Sequence, residues 1–184
     1  MTTIGQIKDY FIGRCDEIIS MSTRGDAWVF LCGAAMIDYL TQMTTGTSGR
    51  NAYIDFVDNY FKEINVKYRD FEYKNGQKDL PTQMYVILRC GIVHKFSFVP
   101  GIQEISNGGR LRSILLAHEA NGYTHLTKYT NDGMDGVIFT AEQFSKDIKA
   151  VVEFIFTRAT TDTNLKSNIE KYITDHPPIQ GRFN

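Results

Sequence analysis

Two side chains that are often used in chemistry lie inside the apolar run YVILRCGIVHKF of residues 85–96, and they are Arg89 and His94. An arginine keeps its positive charge at all ordinary pH values and donates a planar fork of hydrogen bonds that fits phosphate oxygens. An imidazole titrates near neutral pH, so it can accept a proton and return it. The pair therefore suits proton transfer beside a stabilised negative charge.

The surrounding run predicts a helix that begins near Leu80 or Pro81, where a proline suits the first turn. Its apolar stripe comprises Leu80, Met84, Ile87, Leu88, Gly91 and Ile92. On an ideal α-helix two residues five positions apart point about 140 degrees apart, so Arg89 and His94 share a face only if the helix ends or bends near Gly91. The structural alternative is a solvated or paired Arg89 and a His94 that caps the C-terminal end of the helix.

The segment LRCGIVH, late in an apolar helix, resembles the Arg-x4-His signature of the HEPN superfamily, the higher eukaryotes and prokaryotes nucleotide-binding domains. It is also similar to the LR-x-G-(L/I)-x-H segment of many bacterial relatives of that group. The resemblance rests on Arg89, Gly91 and His94 together with the helices around them. It covers residues 1–95 and extends to the two helices at the end of the chain.

This resemblance implies a four-to-five-helix bundle that is usually a homodimer, and many members of the family are metal-independent endoribonucleases. Arg89 and His94 would then be the catalytic pair, with the imidazole taking the 2′-OH proton of RNA and the guanidinium stabilising the crowded phosphate. The two side chains need not converge within one chain, because the motifs of both chains meet at the dimer interface. The sequence departs from the family at Cys90, where active relatives commonly carry Asn, Asp or His.

Asp38 is a candidate accessory residue together with Cys90. It lies in the apolar second helix predicted over residues 27–44, and a carboxylate in such a helix needs a partner. The alternative for Asp38 is a position on a solvent-facing edge of the helix.

The periodicity of apolar residues predicts a mostly α protein that forms a single domain over residues 1–184, and the resemblance implies that its helical bundle is HEPN-like. A third helix follows the stripe Tyr53, Phe56, Val57, Tyr60, Phe61 and Ile64. A small antiparallel β-hairpin or meander is predicted at about 111–140, before the last two helices. Asn121-Gly122 is a strong hairpin signal, and Thr140 with Gln143 predicts a capping box for the helix that follows.

A two-residue hairpin at Asn121-Gly122 would place His118 directly opposite His125. Two facing imidazoles could begin a metal site, but the sequence offers no obvious third ligand, so cross-strand packing is the default. No metal site and no cofactor are predicted.

The composition gives a formal net charge of -1 over 184 residues with 42% hydrophobic residues. Such a balance argues against a general nucleic-acid coat or a membrane-surface protein. The three cysteines, Cys15, Cys32 and Cys90, form no C-x-x-C pair, which indicates reduced thiols. The longest apolar stretch is too short to span a bilayer. We expect a cytoplasmic protein.

Three functional hypotheses follow from these observations. The first is a HEPN-like, metal-independent endoribonuclease that acts in phage defence or in a toxin–antitoxin system, with RNA as substrate and an antitoxin-type protein as a partner. The second is a catalytically inactive HEPN-like module that binds a nucleotide or a protein partner. The third is a helical protein in which the motif match is accidental. Both HEPN-like hypotheses predict a homodimer and no membrane partner.

Overall fold

A computed structural model of the chain describes residues 3–24, 28–74, 76–93, 112–131 and 134–176. The α-helices are α1 (Ile4–Thr23), α2 (Trp28–Thr45), α3 (Arg50–Phe56), α4 (Lys62–Ile64), α5 (Lys67–Asp70), α6 (Leu80–Gln83), α7 (Ala141–Arg158) and α8 (Thr163–Asp175). Two segments have π-helical geometry, π1 (Val57–Phe61) between α3 and α4 and π2 (Met84–Val93) directly after α6. The strands are β1 (Arg112–Ala117), β2 (Lys128–Asn131) and β3 (Met134–Thr140).

Helix α2 lies at the centre of the bundle, because it contacts α1, α3, π2, α7 and α8. Its approach to α7 is close at Gly33, where an added Cβ would come within 2.8 Å of Phe144 and of Ile148. A side chain at this position would therefore push the two helices apart or force the Phe144 ring to move.

The predicted third helix is confirmed as the continuous helical run α3–π1–α4. Five of the apolar residues in its predicted stripe are buried, namely Tyr53, Phe56, Val57, Tyr60 and Phe61. They join one contiguous hydrophobic cluster that also contains residues of α1, α2 and α7. Burial of this stripe holds the run against the core even though its hydrogen-bond register changes midway.

The predicted mostly helical fold with a small sheet before the last two helices is confirmed. The strand order is β1-β3-β2. Strands β2 and β3 pair antiparallel, with Lys128 opposite Val137, as predicted for a hairpin in this region. Strand β1 differs from the prediction because it runs parallel to β3, with Leu115 opposite Ile138.

The prediction of a two-residue hairpin at Asn121-Gly122 is wrong. Glu119–Asn121 form a turn of 3₁₀ helix, and Gly122 ends it in the left-handed region at φ 81°. Glycine adopts this conformation without strain, so the same dipeptide that suits a tight hairpin also suits the end of a helical turn. Strand β2 begins six residues later, at Lys128.

The predicted capping box of α7 is also wrong, although Thr140 does occupy the N-cap position. Its hydroxyl donates to the carboxylate of Glu119 at 3.4 Å, and the Gln143 amide donates to Asp147 at 2.7 Å. The Thr140 hydroxyl is thus used in a tertiary contact and the Gln143 amide in a bond one turn along α7, instead of the reciprocal cap. Among the described residues, no helix has the length and apolar character needed to cross a membrane.

Candidate functional site

The π-helical segment π2 carries the central part of the predicted motif. In a π-helix the backbone hydrogen bonds join residues five apart, so side chains at i and i+5 lie close to the same face. Tyr85 and Cys90 have this spacing, and burial followed by the nearby Cys90 side chain raises the pKa of Tyr85. The prediction that residues five apart diverge by about 140 degrees assumed an α-helix, and it does not hold within Met84–Val93.

Arg89 of π2 forms an ion pair with Asp38 of α2. The guanidinium Nε donates to the carboxylate Oδ1 at 3.3 Å, and each side chain keeps 21% of its surface exposed. Burial lowers the pKa of Arg89, but the Asp38 carboxylate and the Cys90 side chain outweigh it, so the pKa is raised. The pair is thus a fixed charge pair that still reaches solvent, between two elements 51 residues apart in the chain.

Aromatic rings pack against this ion pair. The Cζ atom of Arg89 lies 5.6 Å from the ring centroid of Tyr85, and the rings of Tyr85 and Tyr53 are 5.5 Å apart. The Tyr53 hydroxyl is fully buried and has no hydrogen-bond partner among the described residues. Burial, followed by the negative charge of Asp38, raises the pKa of this phenol and keeps it neutral. The arrangement holds the guanidinium against an aromatic surface as well as a carboxylate.

A chain of hydrogen bonds continues from Asp38 toward α8. The Gln42 amide donates to Asp38 Oδ2 at 3.4 Å, and the Tyr172 hydroxyl donates to Gln42 Oε1 at 3.3 Å. Both oxygens of the Asp38 carboxylate therefore have partners, Arg89 on one side and Gln42 on the other. Such a carboxylate is restrained in rotation and restrains the guanidinium in turn. We call the four residues Arg89, Asp38, Gln42 and Tyr172 the Arg89 relay.

The structure thus brings three of the predicted site residues together, Arg89, Asp38 and Cys90. His94 lies outside the described residues. The Arg89 relay also includes Gln42 and Tyr172, which the sequence did not indicate. The sequence did contain one indication of such contacts, because the Asp38 carboxylate lies in an apolar helix and therefore needs a partner. It did not indicate which residue that partner is.

No family model, curated protein or solved structure matches this chain. The described residues contain no group of three or more His, Cys, Asp or Glu side chains placed to hold a metal ion.

A second polar cluster lies inside the protein, between α5, the turn before β2 and α7. The Tyr68 hydroxyl donates to Asp147 Oδ2 at 2.8 Å and lies 3.0 Å from His125 Nε2. The backbone N–H of Thr140 donates to His125 Nδ1 at 3.0 Å, and Gln143 donates to the other Asp147 oxygen at 2.7 Å. All three of Tyr68, His125 and Asp147 are buried. We call them the buried triad.

The hydrogen bonds assign the tautomer of His125. Because Nδ1 accepts from Thr140, the ring proton is on Nε2 and points at the Tyr68 oxygen. Burial, followed by the nearby positive charge of Lys67, lowers the pKa of His125 to about 3. The imidazole is therefore neutral at physiological pH, and its 3.6 Å approach to Asp147 is no ion pair.

The prediction that His118 faces His125 across a hairpin is wrong. His118 follows β1 and places Nδ1 3.3 Å from Glu142 Oε1 of α7, whereas His125 belongs to the buried triad. The other Glu142 oxygen accepts from the backbone N–H of Glu119 at 3.1 Å. Each histidine thus has its own hydrogen-bonded partners, and the two imidazoles do not share a site.

Proposed function

We propose that this chain is a HEPN-like, metal-independent endoribonuclease in which Arg89 and His94 are the catalytic pair. The observation that carries the proposal is the ion pair between Arg89 and Asp38, which holds a partly exposed guanidinium in place. A cation that is fixed before the substrate arrives stabilises a developing phosphate charge without reorganising at the moment of reaction.

The π-helical register adds support from spacing. Tyr85 and Cys90 are five residues apart within π2, and Arg89 and His94 are also five residues apart in the sequence. The resemblance of LRCGIVH to the family signature supplies the roles of the two residues.

In the proposed reaction the His94 imidazole takes the proton of a ribose 2′-OH. The 2′-oxygen attacks the adjacent phosphorus, the bond from phosphorus to the 5′-oxygen breaks, and the leaving 5′-oxygen takes a proton from an imidazolium or from water. Arg89 binds the phosphate oxygens whose charge rises during the attack. Asp38 is a positioning residue that orients Arg89. The products are a 2′,3′-cyclic phosphate and a 5′-hydroxyl, and DNA is not a substrate because it lacks the 2′-OH.

The proposed enzyme is a homodimer in which π2 of each chain contributes to a shared cleft, and it acts in phage defence or as the toxin of a toxin–antitoxin system. Sedimentation at micromolar concentration is the direct test of the dimer. A monomer that still cleaves RNA would contradict the shared cleft but would not contradict the assignment of Arg89 and His94 as the catalytic pair.

The test of the activity is cleavage of labelled single-stranded RNA in the presence of EDTA, with analysis of the product ends. We expect 2′,3′-cyclic phosphate ends from the wild type and loss of cleavage in His94→Ala, since general acid–base transfer contributes about 10²- to 10⁴-fold. Arg89→Lys keeps the charge but loses the planar fork, so it should also be badly impaired.

The matched control is Arg158→Lys, which changes another partly exposed arginine that pairs with a carboxylate, Asp162 at 3.5 Å. This variant should cleave RNA at the wild-type rate. Wild-type protein that is folded and leaves RNA intact, or an Arg89→Lys variant as active as Arg158→Lys, would contradict the proposal.

The second candidate is a catalytically inactive HEPN-like module that binds a nucleotide or a protein partner. It is favoured by Cys90, which replaces the polar residue common in active relatives, and by the neutralisation of Arg89 by Asp38. Binding of RNA or of a nucleotide without cleavage by the folded wild type would support this candidate over the first.

A further inference from the structure

A cleft of about 350 Å³ lies between the C-terminal end of α2, the turn that follows it and the last turns of α8. Ser48 and Gln42 line one side of it, and Asn168, Tyr172 and His176 line the other. This volume falls within the range of small-molecule sites in proteins.

A stacked pair of aromatic rings forms one wall of the cleft. The His176 imidazole lies 4.5 Å from the Tyr172 ring, centroid to centroid, at an interplanar angle of 19°. Tyr39 holds this stack from behind, because its ring meets Tyr172 edge-on at 5.1 Å and its hydroxyl donates to the His176 carbonyl at 3.0 Å. His176 is exposed, so the stack presents a ring to solvent on a fixed support.

The charges and polar groups of the cleft favour a neutral heterocycle over a bare anion. Lys171 and Asp175 both line it and lie four residues apart on α8, so their opposite charges largely offset each other. Ser48 and Asn168 add a hydroxyl and an amide, which donate and accept hydrogen bonds. A flat ring with donors and acceptors at its edge, such as a nucleobase, satisfies both the aromatic wall and these polar groups.

The cleft is connected to Arg89. Gln42 and Tyr172 line the cleft and also belong to the Arg89 relay, whose carboxylate holds the guanidinium at 3.3 Å. We propose that the cleft binds one nucleobase of single-stranded RNA, stacked on His176, next to the phosphodiester that Arg89 contacts. This inference rests on the proposed function, and it adds a subsite that selects an unpaired base.

The experiment measures binding of a fluorescein-labelled, fully 2′-O-methylated single-stranded oligoribonucleotide to the full chain by fluorescence anisotropy. The missing 2′-OH prevents cleavage, so affinity is read separately from activity. His176→Ala should weaken binding about five- to hundredfold, the usual contribution of one base stacked on an aromatic ring. His176→Phe keeps a ring and should restore most of the affinity.

Lys166→Ala is the matched control, because Lys166 is exposed on the same helix and pairs with Glu170 at 3.8 Å. It should bind like the wild type, and far-UV circular dichroism should show all variants folded. Equal affinity of His176→Ala and Lys166→Ala, or no binding by the wild type, would overturn the subsite. An RNA that binds in a His176-dependent way while its unmodified form stays uncut would contradict the nuclease alone and leave the subsite intact.

Discussion

The Arg89 relay and the buried triad are built from similar side chains but differ in access to solvent. In the relay, the Arg89 and Asp38 side chains each keep 21% exposure. In the triad, the His125 and Asp147 side chains keep only 5% each. A histidine, a tyrosine and an aspartate in hydrogen-bond contact are a familiar catalytic composition. Here, however, each side-chain nitrogen and oxygen of the buried triad has a hydrogen-bond partner within the protein.

The difference shows that composition alone does not distinguish a polar cluster that reaches solvent from one that is buried. The triad connects the turn before β2, α5 and α7, and a satisfied buried network of this kind stabilises one particular packing of those elements. The relay has charge, partial exposure and an adjoining cleft, which are the features that a substrate needs.

Tyr68→Ala should have the largest effect on stability, and it tests whether the buried triad has a structural role. The Tyr68 side chain is fully buried, so its removal leaves a cavity and two polar groups without partners. We expect a loss of about 4 kcal/mol in the free energy of unfolding, which lowers the melting temperature by about 8 to 16 °C in a domain of this size. Differential scanning calorimetry measures it.

Tyr68→Phe is the control, because it keeps the ring and removes the hydroxyl that donates to Asp147. It should lose about 1 to 3 kcal/mol. RNA cleavage by the folded fraction should be unchanged in both variants. A stable Tyr68→Phe protein with strongly reduced cleavage would assign the triad to catalysis and break the comparison.

Acid should destabilise the protein through His125, by less than Tyr68→Ala does as long as the pH stays above about 4. The pKa of His125 is lowered from 6.5 to about 3 in the folded protein, so the unfolded chain binds a proton that the folded protein does not. Stability from this group is present above about pH 6.5 and falls by up to about 1.4 kcal/mol per pH unit toward pH 3. Burial raises the pKa of Asp147, which opposes part of this fall.

The measurement is urea unfolding at several pH values for the wild type and for His125→Gln. Glutamine has an acceptor for the Thr140 N–H and a donor for Tyr68 but does not titrate, so the pH profile of its stability should be flatter. The other histidines are common to both proteins and cancel in the difference. Identical slopes for the two proteins would show that His125 is not kept neutral in the fold.

Asp38→Asn should have the smallest effect on stability, and it tests whether the Arg89 relay contributes to RNA cleavage. It removes the carboxylate charge that orients Arg89 but keeps a side chain of the same shape. A partly exposed ion pair is worth about 1 kcal/mol, so we expect a roughly five- to tenfold fall in kcat for RNA cleavage with little change in melting temperature.

Asp16→Asn is its matched control, because Asp16 pairs with Lys149 at 2.7 Å away from the relay. Its cleavage rate should equal that of the wild type. A rate for Asp38→Asn that matches Asp16→Asn would remove Asp38 as a positioning residue.

The helices were predictable because their signal is local. The stripe from Tyr53 to Phe61 follows from apolar spacing that can be read directly from the sequence. The register of π2 was not predictable. Its buried residues Met84, Ile87 and Leu88 satisfy the spacing of an α-helix equally well.

The tertiary pairings were not predictable because they join distant parts of the chain. The Asp38 carboxylate signalled the need for a partner, but Arg89 lies 51 residues away. The bonds from Tyr68 to His125 and to Asp147 span 57 and 79 residues, and no local pattern marks them. The strand that pairs with β1 was not predictable for a similar reason. The Asn121-Gly122 dipeptide fits both a hairpin and the end of a helical turn, so it does not determine which strand lies next to β1.

The parallel pairing of β1 with β3 has a consequence for the order of assembly. Strands β2 and β3 are separated by two residues and can close with little loss of chain entropy, as hairpins do within microseconds. Strand β1 must wait for a longer closure before it can add to β3. We therefore expect hydrogen-exchange labelling during refolding to protect the amides shared by β2 and β3 before those of β1.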